Sequence, residues 1–338
     1  MLTLSRRSFV AATAISAPFL ALSGKGSRAS GHIMLKYANN LPLTHPLNVR
    51  AAEACARIKQ ETGGAVTVRI FPDNQFGGDS DMLELVRSGG IDIFTPSALV
   101  LSAAAPMAQV NALGFAFSDY VQVWAAMDGA LGGFIRSAVA NAGLFMLEKV
   151  WDNGFRQCTT AERPITSPAD FAGLKIRVPV SPLSISMFKA LSASPRGMQF
   201  SQLYGALKSK LFEAQENPLL IIESARLYEV QKYVSLTNHV WDGFFFVLNG
   251  KMWSSLPGDI QAIVSKAFNE SAVAQRSDIL AANAKARSSL EAKGMVFNQL
   301  DSEPFRQVLR ERGFFKEWKE KFGCRAWRLL EDYVGHLV

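Results

Sequence analysis

The chain has 338 residues, of which 49% are hydrophobic and 19% charged. That is enough apolar mass for two domains with separate cores, and too balanced a composition for intrinsic disorder. The formal net charge is +7, but Arg6, Arg7, Lys25 and Arg28 fall within residues 1–29 with no acid among them, so the remainder carries +3 and has no Lys/Arg-rich run suited to nucleic acid.

The first segment, Ser5-Arg6-Arg7-Ser8-Phe9-Val10, leads into an alanine-rich apolar stretch from Val10 to Leu22, and Ser27 and Ala29 flank Arg28. A charged start, a short apolar run and small residues at a cut site predict a secretory signal over residues 1–29. Its paired arginines resemble the twin-arginine class, so export to the periplasm by that route is expected. The run is far shorter than the roughly 20 residues that a membrane span needs. Of the cysteines Cys55, Cys158 and Cys324, no two form a CxxC, and an odd count in an oxidising compartment leaves at least one thiol free. With His32, His45, His239 and His336 scattered along the chain, no close metal-ligand set is offered; neither a metal nor a cofactor is expected.

Ile33 to Ala38 reads as a strand. Pro46 stands where a helix can begin, and Ala51 to Thr62 reads as helix, stopped by Gly63 and Gly64. Val66, Val68 and Ile70 alternate with Thr67 and Arg69, the period of a strand. Asp79 or Ser80 is expected to cap a short helix ended by Gly89 and Gly90, and Ile91 to Phe94 is the next strand. Strands alternating with helices predict an α/β sheet with parallel pairing, whose ligands bind beyond the carboxyl ends of the strands. Asp119 to Asn141 is expected to be mostly helical and Leu144 to Trp151 a strand.

A second α/β pattern follows. Ser167-Pro168 and Ser181-Pro182 are cap-then-proline pairs. Leu174 to Val178 is a strand with Lys175 and Arg177 on one face. Ser201 caps a helix to Ser209, a strand leads into Glu216-Asn217-Pro218, and Gly243 to Leu248 is a very apolar strand. From Pro257 to Lys293 the helical pattern runs almost unbroken. Roughly 36 residues would span roughly 54 Å, longer than one lobe, so this helix is expected to cross both. A short strand and C-terminal helices follow, with Trp318 and Trp327 as packing residues.

Three segments carry the functional signal: Trp151 to Gln157, Gly173 to Pro179, and Gln215-Glu216-Asn217-Pro218. Each lies at a strand end or strand-to-helix turn. Arg156 and Arg177 have the planar fork that suits a carboxylate, and Asn217 adds a neutral donor. Composition alone also allows these arginines to be surface partners of acids.

The same segments closely resemble the DctP-type substrate-binding proteins of tripartite ATP-independent periplasmic (TRAP) transporters. Glu61-Thr62-Gly63-Gly64, Phe71-Pro72-Asp73-Asn74-Gln75-Phe76-Gly77 and Val86-Arg87-Ser88-Gly89-Gly90-Ile91-Asp92 extend the resemblance over nearly all the mature chain. One departure is Lys210-Leu211-Phe212-Glu213-Ala214, where relatives carry a Gly-Val-Val-Asp-Gly-like run. The resemblance implies a two-lobed periplasmic binding protein with a hinge and a long helix spanning both lobes. It places residues 30–153 and 242–280 in lobe I, and 154–241 and 281–338 in lobe II. It also implies that Arg177 forms the main salt bridge to a ligand carboxylate, that Asn217 and Arg156 add contacts to it, and that Phe200 packs on the ligand.

Asn39, Asn40 and His45, just after the first strand, are further candidates. So are Ser97 after the third strand, and Trp241 and Phe244 near the crossing between lobes. The expected function is a solute receptor that delivers a small organic acid to TRAP membrane subunits. A sensory receptor is the alternative. A hydrolase is less expected, since no Gly-x-Ser-x-Gly, P-loop, Gly-x-Gly-x-x-Gly or HExxH is present. The paired arginines indicate an anion: a sugar acid, a short dicarboxylate, an oxo acid or an aromatic acid.

Overall fold

The computed structural model describes residues 32–338; the expected signal segment lies outside the described residues. Thirteen strands are present among the described residues. In chain order they are β1 (Ile33–Ala38), β2 (Val66–Phe71), β3 (Ile93–Phe94), β4 (Leu144–Met146), β5 (Trp151–Phe155), β6 (Gln157–Thr160) and β7 (Lys175–Val178), then β8 (Ser194–Gly197), β9 (Ala214–Asn217), β10 (Tyr233–Leu236), β11 (Trp241–Phe244), β12 (Val247–Asn249) and β13 (Val296–Gln299).

They form two main sheets. The first has the order β2-β1-β3-β12-β4 and the second β13-β10-β6-β9-β7-β8, while β5 and β11 make a separate two-stranded ribbon. The expected parallel pairing holds where a helix connects neighbours: β1 lies parallel to β2 and β3, and β7 lies parallel to β8 and β9. β10 and β13 are also parallel, but other pairs are not. β12 runs antiparallel to β3 and β4, and β6 runs antiparallel to β9 and β10.

The helix between β1 and β2, Pro46–Glu61, buries Leu47, Ala51, Ala54 and Ile58. This apolar stripe at helical spacing turns one face to the sheet. The long helix is Gly258–Ala292, 35 residues, or roughly 52 Å at the α-helical rise. Its first half buries Val264, Ala267, Phe268 and Ala272 in the core beneath the first sheet, where the Phe246 ring packs at a tilt between Tyr37 and Phe268 at centroid distances of 4.9 and 4.2 Å. Near its other end Leu290 enters a separate core with Leu203, Ile222 and Val234 beside the second sheet. One helix thus anchors in both lobes of an α/β fold.

Several boundaries differ from expectation for identifiable reasons. Neither of the apolar runs Leu144–Trp151 and Gly243–Leu248 is one strand: each contributes to a strand of the first sheet (β4, β12) and to one of the ribbon (β5, β11). An unbroken apolar run does not show where the chain passes from one layer to another; here the ribbon carries a register shift between Asp242 and Gly243. Asp119 to Asn141 is two helices, Tyr120–Met127 and Ala130–Asn141. β8, with sequence Ser-Pro-Arg-Gly, carries no strand signal and was not anticipated; as an edge strand it tolerates Pro195. Ser201 lies inside a single 3-10 turn, and the helix proper begins at Leu203. Trp318 and Trp327 are buried, and all three cysteines are unpaired.

Candidate functional site

Where the two sheets and the ribbon converge, the chain forms a pocket lined from several elements. Loops and helix starts beyond β1, β2 and β3 bring Asn40, Asp79 and Ser97. The second sheet brings Arg177 and Asn217, with Phe200 close by. The ribbon and the residue that follows it bring Asn153, Arg156, Asp242 and Phe244.

The two arginines are in opposite electrostatic situations. Arg156, fully buried, donates from Nη1 to Asp242 at 2.6 Å and from Nη2 to Glu216 Oε1 at 3.0 Å, with a further bond from Nε to Glu216 Oε2. Nη2 also reaches the Glu216 carbonyl at 2.7 Å and Asn217 Oδ1 at 3.1 Å. His239 Nε2 bonds Glu216 Oε2 at 3.0 Å, and Asp242 accepts from Ser97 Oγ at 2.7 Å and Asn153 Nδ2 at 3.2 Å. Burial alone would raise the Glu216 carboxyl, but the Arg156 charge and the His239 bond outweigh it and hold it down at about 2. Burial raises Asp242, and Arg156 and Ser97 offset this only in part. One guanidinium is therefore saturated by two buried carboxylates.

Arg177, on β7, is equally buried, yet its Nε and Nη2 both donate to one neutral acceptor, the Met198 carbonyl, with Nε at 2.9 Å. Among the described residues no carboxylate lies within ion-pair distance of it, and burial lowers its pKa from 12.5 to about 10. A buried cation without an anion is costly unless a partner arrives. Asp79, also buried, is the first residue of the helix Asp79–Ser88. Its Oδ1 accepts from Asn40 Nδ2 at 2.8 Å, and burial raises it to about 6 against the opposing pull of Arg177.

Of the residues singled out from sequence, Arg177, Arg156, Asn217, Phe200, Asn40 and Ser97 line the cavity; His45 and Trp241 do not. His45 instead caps the helix Pro46–Glu61. Its Nδ1 accepts the Leu47 N–H at 3.2 Å, and its ring meets Phe244 edge-on. Trp241 is a core residue: its Nε1–H donates to Asp152 at 2.9 Å and its rings pack edge-on against Phe117 and Trp124. Its neighbours Asp242 and Phe244 reach the cavity in its place.

Asp79, Asp242 and Asn153 were not picked out. Asp79 reads from sequence as a helix cap, whereas the cap position is Gly78, whose N–H donates to Asp81 at 2.8 Å. The signal for Asp242 was present: an acid inside an otherwise apolar strand, Trp241-Asp242-Gly243-Phe244.

Two α/β lobes pinned by one long helix, with a buried cation in a pocket lined from both sheets, define a solute receptor of the periplasmic type. Residues 37–315 match the model of the DctP family, "Bacterial extracellular solute-binding protein, family 7". The chain is 30% identical to the C4-dicarboxylate-binding periplasmic protein DctP of Vibrio cholerae over 262 residues, covering 76% of this chain and 78% of that protein. It is 32% identical over 266 residues to an uncharacterized protein of Sinorhizobium fredii, where the match covers 78% of this chain but spans only 49% of that protein's length. Among solved structures, a TRAP periplasmic solute-binding protein from Polaromonas sp. JS666 bound to D-erythronate superposes with a TM-score of 0.85 at 28% identity, covering 89% of this chain and 99% of that one. The chain belongs to the bacterial extracellular solute-binding protein family 7.

Proposed function

We propose that this protein is a periplasmic receptor that closes on a small organic carboxylate and delivers it to the membrane subunits of a TRAP transporter. The observation that carries this reading is Arg177: a buried guanidinium in a cavity, bonded among the described residues to a neutral carbonyl alone. A ligand carboxylate supplies the missing charge, and exclusion of water strengthens the pair. Asn217 and the Arg156 cluster flank it, and Phe200 covers the carbon skeleton. Residues 30–153 and 242–280 form one lobe, and 154–241 with 281–338 the other. Residues 1–29 direct export through the twin-arginine route. Relatives named for C4-dicarboxylate and bound to D-erythronate support a carboxylate as the cargo.

The test is a thermal-shift screen of residues 30–338, unfolded, dialysed and refolded to remove carried-over ligand, against a panel of small acids. At roughly 100 times its Kd a true ligand adds about 2.7 kcal/mol of stability. The expected result is a clear shift with one class of acid that disappears in Arg177→Ala. Absence of a shift with every acid in the ligand-free protein would overturn the reading.

A further inference from the structure

We infer that the acid taken by this cavity is a monocarboxylate bearing hydroxyl groups: Arg177 holds the carboxylate, while Asp79, Asn40 and Asn153 accept the hydroxyls and turn away a second carboxylate. The inference rests on the carboxylate reading above and narrows it.

Among the described residues that line it, the cavity has one cation without an ion-pair partner and several acceptors without donors. Arg156 has its donors committed to Glu216, Asp242 and Asn217, which leaves Arg177 as the group able to take a carboxylate. On the other side, Asn40 donates its Nδ2 to Asp79 and Asn153 donates its Nδ2 to Asp242. Those carboxylates fix the orientation of both amides, since the nitrogen must face the acid. Each amide therefore presents an oxygen as its remaining group. Both oxygens, Asn40 Oδ1 and Asn153 Oδ1, are buried without a donor among the described residues. Asp79 Oδ2 likewise receives no hydrogen bond among the described residues, its Oδ1 being the atom that Asn40 reaches.

Buried acceptors left without donors are destabilising. A ligand hydroxyl has the O–H they lack. A second ligand carboxylate brings only acceptors, and sets a negative charge beside Asp79, itself already buried. Phe200 and Phe244 give the carbon chain an apolar wall.

Three acids of equal carbon number separate these requirements. D-erythronate carries one carboxylate and hydroxyls on its other carbons, succinate carries two carboxylates and no hydroxyl, and butyrate carries one carboxylate alone. Calorimetric titration of the ligand-free protein at pH 7.5 should give D-erythronate, or the longer aldonate galactonate, a Kd at least roughly 100-fold below those of succinate, which sets like charges together in a desolvated site, and butyrate, which leaves the buried acceptors without donors. Asp79→Asn should narrow the gap to succinate by roughly tenfold or more, mainly by improving succinate. The wild-type ratio needs no variant to fold. Succinate or butyrate binding as tightly as the hydroxy acids, with binding still dependent on Arg177, overturns this inference and leaves the carboxylate reading standing. Binding of any of these acids that is unchanged in Arg177→Met overturns the carboxylate reading itself. No heat from either hydroxy acid counts against the inference.

Discussion

Replacing Arg177 with Met tests the claim that this side chain is held for a ligand and not for the fold. Removing one member of a buried charge pair typically costs about 2–5 kcal/mol, so bound acid should weaken by roughly 30-fold to several thousand-fold at 1.4 kcal/mol per decade. The effect on the empty protein should have the opposite sign from an ordinary core truncation. Burial lowers the Arg177 pKa from 12.5 to about 10, a gap worth roughly 3 kcal/mol against the charged form. What the side chain gains in return is the bond to the Met198 carbonyl, worth about 1 kcal/mol net. Met is of similar length and carries no charge, so the ligand-free variant should be as stable as the parent or more stable by up to about 2 kcal/mol, by the difference of those two magnitudes. Urea denaturation of the ligand-free proteins reads the stability, and calorimetric titration reads the affinity. Arg177→Lys should not restore binding, because Lys cannot bond the Met198 carbonyl through two nitrogens and still present a fork. A Met variant that binds within about threefold of the parent, or that loses 3 kcal/mol or more of ligand-free stability as a structural buried pair does, would refute the reasoning.

The other cavity arginine should behave in the reverse way. Arg156→Met strands Glu216 and Asp242 as buried carboxylates, and should destabilise the ligand-free protein by about 3–5 kcal/mol; urea unfolding at neutral pH checks it, and a loss below about 1 kcal/mol would contradict the charge-balancing role. His45 predicts an acid sensitivity. Burial lowers its pKa to about 3 and its Nε2 has no partner, so its folded value lies below the unfolded value of about 6.5. The stability it contributes is therefore complete above about pH 6.5 and is lost as pH falls toward 3, at up to about 1.4 kcal/mol per pH unit. His45→Asn keeps an acceptor for the Leu47 N–H and should reduce the stability lost between pH 6.5 and 4.5 by about 2 kcal/mol; equal losses in both proteins would show that other groups govern the acid limb.

Legibility from sequence followed the locality of each signal. β1 matched the expected residues because an apolar run between polar neighbours fixes it. The long helix was legible because little interrupts Gly258–Ala292. The ribbon of β5 and β11 was not legible. Its strands continue the apolar runs of the first sheet, and only pairing across about ninety residues of sequence separates them. The same holds within the site. Arg177 and Asn217 announced themselves as polar residues at strand ends. That Arg156 is consumed by Glu216 and Asp242, however, depends on partners far away in the chain, and no local pattern encodes it. Trp241 was misplaced for a related reason: its strand reaches the cavity, but its own ring belongs to the core with Trp124.

The division of labour between the arginines bears on how occupancy is coupled to closure. The Arg156 cluster draws its members from β9, the ribbon and the loop before β6, and its main charges satisfy one another with no ligand present. Arg177 stands on the second sheet and Asp79 on a helix beside the first, within electrostatic reach of each other but with no ion pair between them. They attract one another across the pocket without bonding directly. A direct tie between the two sides, the Ser80 N–H to Gln199 Oε1 bond at 3.2 Å, is solvent-exposed and so contributes little. On the reading proposed above, a ligand that gives its carboxylate to Arg177 and its hydroxyls to Asp79 and Asn40 bridges the two sides of the pocket. A population shift toward a closed state requires such a ligand to bind that state better than an open one.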